Sequence, residues 1–259
     1  MNWRNDLTKE VVVPSAEIIA GEMARVLEDP NPLHRDQAVA EKYTFPMPPA
    51  MGVFPMIHGE EQLLLAVQDR NGDNLKEVTF ALNSPCYPGD KLRFEFGPEN
   101  TGKIYRMGAN KSGGDFQAAS IKRINLGEGF EIFDQASAGK VHHQKKYTID
   151  RKRLDDITQC LGCARMETPS AMVLASTLPA ALVDFCAKKG KIDGGYQQAS
   201  FRMFAKPELG EVEARLSLKS YNCRGEKVHV YTVQGICYQS GKPILEGNLI
   251  VFSRSKFEV

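Results

Sequence analysis

Asp29 and His34 are the two side chains whose types and spacing best suit acid–base chemistry near neutral pH. They lie five residues apart in the run Leu27-Glu-Asp-Pro-Asn-Pro-Leu-His34. Pro30 and Pro32, between them, forbid a regular helix and set the chain on an extended, rigid path. A carboxylate held near an imidazole on such a loop can position and polarise one water. The same residues also read as a helix stop followed by an ordinary loop histidine. Chemistry alone leaves the two readings open.

The elements that must hold this loop repeat along the chain. Val78-Thr-Phe-Ala-Leu reads as a strand running into the turn Tyr87-Pro-Gly-Asp90 and a second strand, 91–96. Ala199-Ser-Phe-Arg-Met runs into Leu209-Gly-Glu211 and a strand over 212–218 in the same way. Phe80 precedes Gly89 by nine residues and Phe201 precedes Gly210 by nine, an offset of 121 residues. Alternating apolar segments follow each pair, over 103–107 and 116–124, then over 228–238 and 244–253, as half-buried strands require. Lys111-Ser-Gly-Gly-Asp115 and Ser240-Gly-Lys-Pro243 have hairpin-turn chemistry. An apolar stretch, Gln62-Leu-Leu-Leu-Ala-Val67, predicts a buried helix before the first meander; residues 170–188 predict a longer one, ending near Gly190, before the second. Each half thus reads as a helix followed by an antiparallel sheet that wraps it.

Composition narrows the function classes. The chain has 259 residues, 42% apolar and 25% charged, which is ordinary for a globular protein. Lys+Arg 33 against Asp+Glu 32 gives no basic excess for nucleic acid. The apolar runs are shorter than the roughly 20 residues of a membrane span, and the N-terminal residues show no apolar signal core. No nucleic-acid or membrane partner is therefore expected, and a cytoplasmic location is. The six cysteines read as reduced thiols. Cys160-Leu-Gly-Cys163 lacks a second pair and a nearby histidine, and reads as two small side chains at a helix end rather than a metal or redox site. No Gly-rich phosphate loop, no nucleophile elbow and no metal-ligand spacing is present. The basic pairs around Lys145-Lys146 and Arg151-Lys-Arg153 read as a solvated face, or as a contact for phosphates or an acidic partner.

The run Asp29-Pro-Asn-Pro-Leu-His34 resembles the signature of the (R)-specific enoyl-CoA hydratases, the hydratase 2 or MaoC-like dehydratase family. The resemblance continues through Asp36, Phe45, Pro48 and Gly52, with 18 residues from His34 to Gly52, and through the turn at Pro88-Gly-Asp90. It covers about residues 15–124. It implies an α+β double hotdog: a catalytic module over 1–124, a linker over 125–146, and a second module over 147–259 that lacks the motif. It implies a hydro-lyase acting on trans-2-enoyl and (3R)-hydroxyacyl thioesters of CoA or acyl carrier protein, with no other cofactor and no metal. Asp29 and His34 would hold the reacting water, the Gly52 N–H at a helix start would stabilise the oxyanion, and Asn31 would brace the loop. Asp36 reads as a loop or helix-start residue. Two positions depart from the family: Met51 stands where a histidine is common, and Glu28 where a small residue is. His58, further along the same helix, reads as a packed side chain. A hotdog thioesterase and a non-catalytic acyl-thioester binding protein or partner subunit are the alternatives. A monomer and a homodimer both remain open.

Overall fold

The computed structural model describes residues 4–29, 31–67, 75–109, 113–127, 129–188, 194–224, 228–253 and 256. Pro30, Gly190 and the first two residues of the Lys111–Asp115 turn lie outside the described residues.

Ten strands form a single sheet in the order β1-β3-β4-β5-β2-β7-β10-β9-β8-β6, every neighbouring pair antiparallel. The first half of the chain supplies β1 (Val11–Val12), β2 (Leu75–Leu82), β3 (Lys91–Gly97), β4 (Thr101–Arg106) and β5 (Phe116–Leu126). The second half supplies β6 (His143–Ile149), β7 (Gly194–Met203), β8 (Gly210–Arg224), β9 (Val228–Gln239) and β10 (Lys242–Ser253). The halves meet edge to edge where β2 pairs with β7. That register follows from the repeat. Val78 faces Phe201, Phe80 faces Ala199, and Thr79 faces Ser200, its own counterpart 121 residues on. A residue paired with its own repeat equivalent marks a pseudo-twofold axis. The repeated glycines both turn the chain with positive φ, +81° at Gly89 and +137° at Gly210.

Strand alternation matches burial. Leu92, Phe94 and Phe96 of β3 face the core and their neighbours do not. Ser240 and Gly241, with φ of +49° and +75°, join β9 to β10 through a two-residue turn of the kind that matches strand twist. β6 carries His143, Lys145 and Lys146 and buries only Tyr147 and Ile149. It closes one end of the sheet, where such charge guards against further strand pairing. Strand pairing thus reaches into both ends of the crossing segment, at 125–126 and 143–146.

The helices are α1 (residues 16–26, with a π turn at Ile19–Met23), α2 (Gln37–Lys42), α3 (Val53–Val67), α4 (Arg151–Leu161), α5 (Ala171–Ala175) and α6 (Thr177–Lys188). α3 is buried along most of its length, as the apolar stretch at its end requires. Its counterpart is not the one long helix expected: it is broken at Ser176 into α5 and α6. The cause is local. Ser176 Oγ and Thr177 Oγ1 donate to the carbonyls of Val173 and Leu174 at 2.6 and 2.8 Å, and Pro179 has no N–H for the carbonyl of Ala175. Residues 171–188 are long and apolar enough to cross a membrane, contrary to the reading of short apolar runs, yet 72% of the segment is buried inside the protein. It is a core helix of the sheet that wraps it.

Candidate active site

The loop after α1 is shaped by backbone bonds before any side chain acts. Glu28 is left-handed (φ +51°), the Glu28 N–H donates to Arg25 O at 3.3 Å, and the Asp29 N–H reaches back to Ala24 O at 2.9 Å. These two bonds end a helix in the way glycine usually permits. Here the second half holds a glutamate in that strained conformation. The Glu28 carboxylate pairs with Arg153, and with Lys145 at 3.5 Å, while Arg153 Nε donates to Val26 O at 3.1 Å. The position where a small residue was expected is thus a tie between the halves.

Beyond the helix end the loop braces itself. Asp29 Oδ1 accepts from the Asn31 N–H at 2.9 Å, and Asn31 Oδ1 accepts from the Leu33 N–H at 3.0 Å. A short 3-10 turn, Pro32–His34, presents the imidazole, and Asp36 caps α2 through the N–H groups of Ala38 and Val39.

His34 and Asp29 face each other across 3.8 Å, Nε2 to Oδ2, each side chain 11% exposed. On the other side of the ring, Nδ1 lies 2.9 Å from Pro49 O. A carbonyl only accepts, so Nδ1 carries a proton, and Nε2 is the ring atom left facing Asp29. The gap is too long for a direct hydrogen bond. One water about 2.8 Å from each atom would bridge it.

Both residues line one cavity of about 320 Å³, together with Gly52 and Met51. Gly52 immediately precedes α3, where N–H groups lack helical acceptors. A side chain could not fit there: a Cβ on Gly52 would stand 2.6 Å from Tyr196 Oη and 2.9 Å from Leu82 Cδ1. The second half closes the cavity with Pro179, Leu182, Val183 and Tyr196. Cys86 is the thiol on the first half's wall, and burial pushes it up to about 12, which keeps it from acting as a thiolate. Pro49 O and Tyr196 were not legible in the sequence: one is a backbone group, and the other lies 144 residues from Gly52 with no motif around it.

The second half holds the same helix end without the loop. Gly162 is left-handed (φ +70°), its N–H donates to Gln159 O at 3.2 Å, and the Cys163 N–H reaches Thr158 O at 3.0 Å. Cys163 therefore stands where Asp29 stands. The two are 134 residues apart against 121 for the strands, so 13 residues are missing from this connection. Nothing in it corresponds to His34 or α2. Its space is filled from α3: His58, 1% exposed, bonds Leu161 O through Nε2 at 3.0 Å and Glu61 Oε2 through Nδ1 at 3.1 Å. By the repeat, His58 and Glu61 match Pro179 and Leu182, which wall the cavity of the first half. Neighbouring Glu60 is buried and caps α5, accepting from Ser170 Oγ and from the N–H groups of Ala171 and Met172 at 3.0 and 2.9 Å. Burial outweighs those bonds and pushes its carboxyl up to about 7.

Among the described residues, His58, Glu61 and Cys163 form a group of metal-ligating types, their ligand atoms within 4.8 Å of one another. Sequence spacing hid it, because Cys163 lies 105 residues from His58. Cys163 Sγ is 3.8 Å from both ring nitrogens, and each nitrogen already has an oxygen partner, Glu61 Oε2 or Leu161 O. Burial also raises the thiol well above its ordinary range. The arrangement is a packed polar cluster.

Comparison with solved structures decides the fold. A Mycobacterium tuberculosis protein, Rv0216, described as having a double hotdog fold, superposes with a TM-score of 0.65 over 97% of this chain and 98% of its own, at 11% identity. The chain is a double hotdog. A structure described as a MaoC-like dehydratase matches this double hotdog with a TM-score of 0.62, 15% identity and coverage of 96% and 97% of the two chains. One described as an oleoyl thioesterase from Lactobacillus plantarum matches with a TM-score of 0.52, 10% identity and coverage of 80% and 91%. No family model and no curated relative matches the sequence. The matched structures are described with different activities, so the fold alone does not give the function.

Proposed function

We propose that this double hotdog is a hydro-lyase that interconverts trans-2-enoyl and (3R)-hydroxyacyl thioesters, carried on CoA or acyl carrier protein. The observation that carries the reading is the 3.8 Å gap between two acceptor atoms, Asp29 Oδ2 and His34 Nε2, at the wall of an apolar cavity that also holds Gly52. In the hydration direction both atoms accept from the water. Its oxygen bonds to the β-carbon, its proton passes to the Asp29–His34 pair, and the pair returns a proton to the α-carbon. The Pro49 carbonyl holds the imidazole in place throughout. Negative charge that develops on the thioester oxygen meets the Gly52 N–H at the start of α3. Pro179, Leu182 and Val183 would pack against the acyl chain. A thioesterase needs its water or nucleophile at the thioester carbonyl and does not require Asp and His together in an Asn-Pro loop, so the pair supports the hydro-lyase reading over it.

The test is a single assay with crotonyl-CoA and longer enoyl-CoAs, read at the enoyl-thioester band and with a thiol reagent. Loss of the band with no free thiol is the expected result. Release of thiol would establish a thioesterase, and neither signal on any chain length would favour a binding protein.

A further inference from the structure

Tyr196 is a polar group with no work to do in the free protein. It sits on β7, in the opposite half of the chain from Asp29, His34 and Gly52, yet it lines their cavity. Its hydroxyl is shut away from solvent and finds no hydrogen-bond partner among the described residues. Buried hydroxyls are normally paired, and an unpaired one costs stability. Its position is specific. The 2.6 Å between Oη and a would-be Gly52 Cβ, and 2.8 Å for Cζ, place the phenol directly against the glycine that opens α3.

We propose that Tyr196 Oη donates a hydrogen bond to the carbonyl oxygen of the bound acyl thioester, as a second donor beside the Gly52 N–H. The inference rests on the thioester reading above. It makes the oxyanion site a joint product of both halves: a backbone donor from the first and a side-chain donor from the second. No proton is transferred. The hydroxyl keeps its hydrogen while the carbonyl oxygen gains charge on water attack and loses it when the α-carbon is protonated. Burial first, and the Asp29 charge second, hold the phenol far above its ordinary range, so it stays a donor. The hydroxyl has no open surface in the free protein, so it reaches the carbonyl through a small shift of the ring as the substrate enters, and its missing partner is then explained. Such unmet groups are a common form of stability given up for function.

The test is Tyr196→Phe, with three readouts. Hydration kcat/KM should fall by about a hundredfold, as for loss of one oxyanion donor, part of it as a higher KM because the hydroxyl already meets the carbonyl in the bound substrate. Thermal stability should hold or rise, because an unpaired hydroxyl has been removed. The third readout needs no turnover: binding of hexanoyl-CoA against hexyl-CoA, the thioether that lacks the carbonyl. The wild type should prefer the thioester, and Tyr196→Phe should lose that preference while binding hexyl-CoA as the wild type does. A wild type that turns over no enoyl thioester but keeps the thioester preference would sink the hydro-lyase reading and leave this one standing. An unchanged preference in Tyr196→Phe, a wild type with no preference, or a marked loss of melting temperature would overturn the inference.

Discussion

Asp29→Asn and His34→Gln, made singly and together, test whether the two side chains serve one water. Asn at position 29 keeps the brace, since a side-chain carbonyl can still accept from the Asn31 N–H now bonded at 2.9 Å. It turns an amide donor towards His34 Nε2 and removes the Oδ2 acceptor 3.8 Å away. The fold should therefore survive, with stability within about 0.5 kcal/mol of wild type. A positioned acid–base group is worth at least about a hundredfold, or about 2.7 kcal/mol of barrier. Each single variant should lose at least that much in the hydration rate, measured at the enoyl band under saturating substrate. If the residues acted on separate steps, the double variant would lose about ten-thousandfold, or about 5.4 kcal/mol. If one water bridges the gap, as proposed, it should be little worse than the poorer single variant. A double variant that multiplies the two losses, or single variants that hydrate at near-normal rates, would refute the shared-water argument.

Two further outcomes follow from the packing. Glu60 has a folded carboxyl raised from 4.5 to about 7, so the folded chain holds that proton more tightly than the unfolded one. Its stabilising effect is full below about pH 4.5 and is lost as pH rises through 7, on the order of 3 kcal/mol. Denaturant melts at pH 5 and pH 8 should show this loss in the wild type and not in Glu60→Gln; parallel shifts in both would refute the assignment. Arg165 and Glu167 are 72% and 82% exposed on the shortened connection, so Ala at either position should leave turnover within a few-fold of wild type. A loss as deep as that of His34→Gln would mean that the site lies in the wrong half.

What the sequence made legible is what depends on neighbours along the chain. The Asp29–His34 loop, the strands and the repeat are local patterns; the 121-residue offset makes Thr79 and Ser200 counterparts, and only the strand register shows that they pair. The break at Ser176 was missed because apolar periodicity outweighed one proline and two hydroxyls whose carbonyl bonds appear only in three dimensions. β6 was absorbed into the crossing segment because an edge strand rich in Lys, His and Gln has little apolar alternation. Tyr196, Pro49 O and the His58–Glu61–Cys163 cluster depend on contacts between distant segments. Glu28 shows the same limit: its left-handed backbone is tolerated next to Arg153 and Lys145, more than a hundred residues away.

The asymmetry between the halves makes a quantitative statement about stoichiometry. A pseudo-twofold axis through Thr79 and Ser200 would generate a second site across the sheet if the halves were equal. Three things prevent it. Cys163, a thiol raised by burial, replaces the Asp29 carboxylate. The 13 missing residues remove any counterpart of His34. His58 and Glu61, paired at 3.1 Å, fill the wall positions that Pro179 and Leu182 leave apolar in the cavity beside Asp29 and His34. Restoring a carboxylate alone, as Cys163→Asp, cannot rebuild the site, because the imidazole-bearing segment is absent and the space is occupied. Calorimetric titration with hexanoyl-CoA should therefore give one site per chain, both in the wild type and in Cys163→Asp. Tyr196→Phe should weaken that single site rather than reveal another. A second site of comparable affinity, surviving Asp29→Asn and Tyr196→Phe, would show that the plugged half still binds acyl thioesters and that the loss of the loop did not close it.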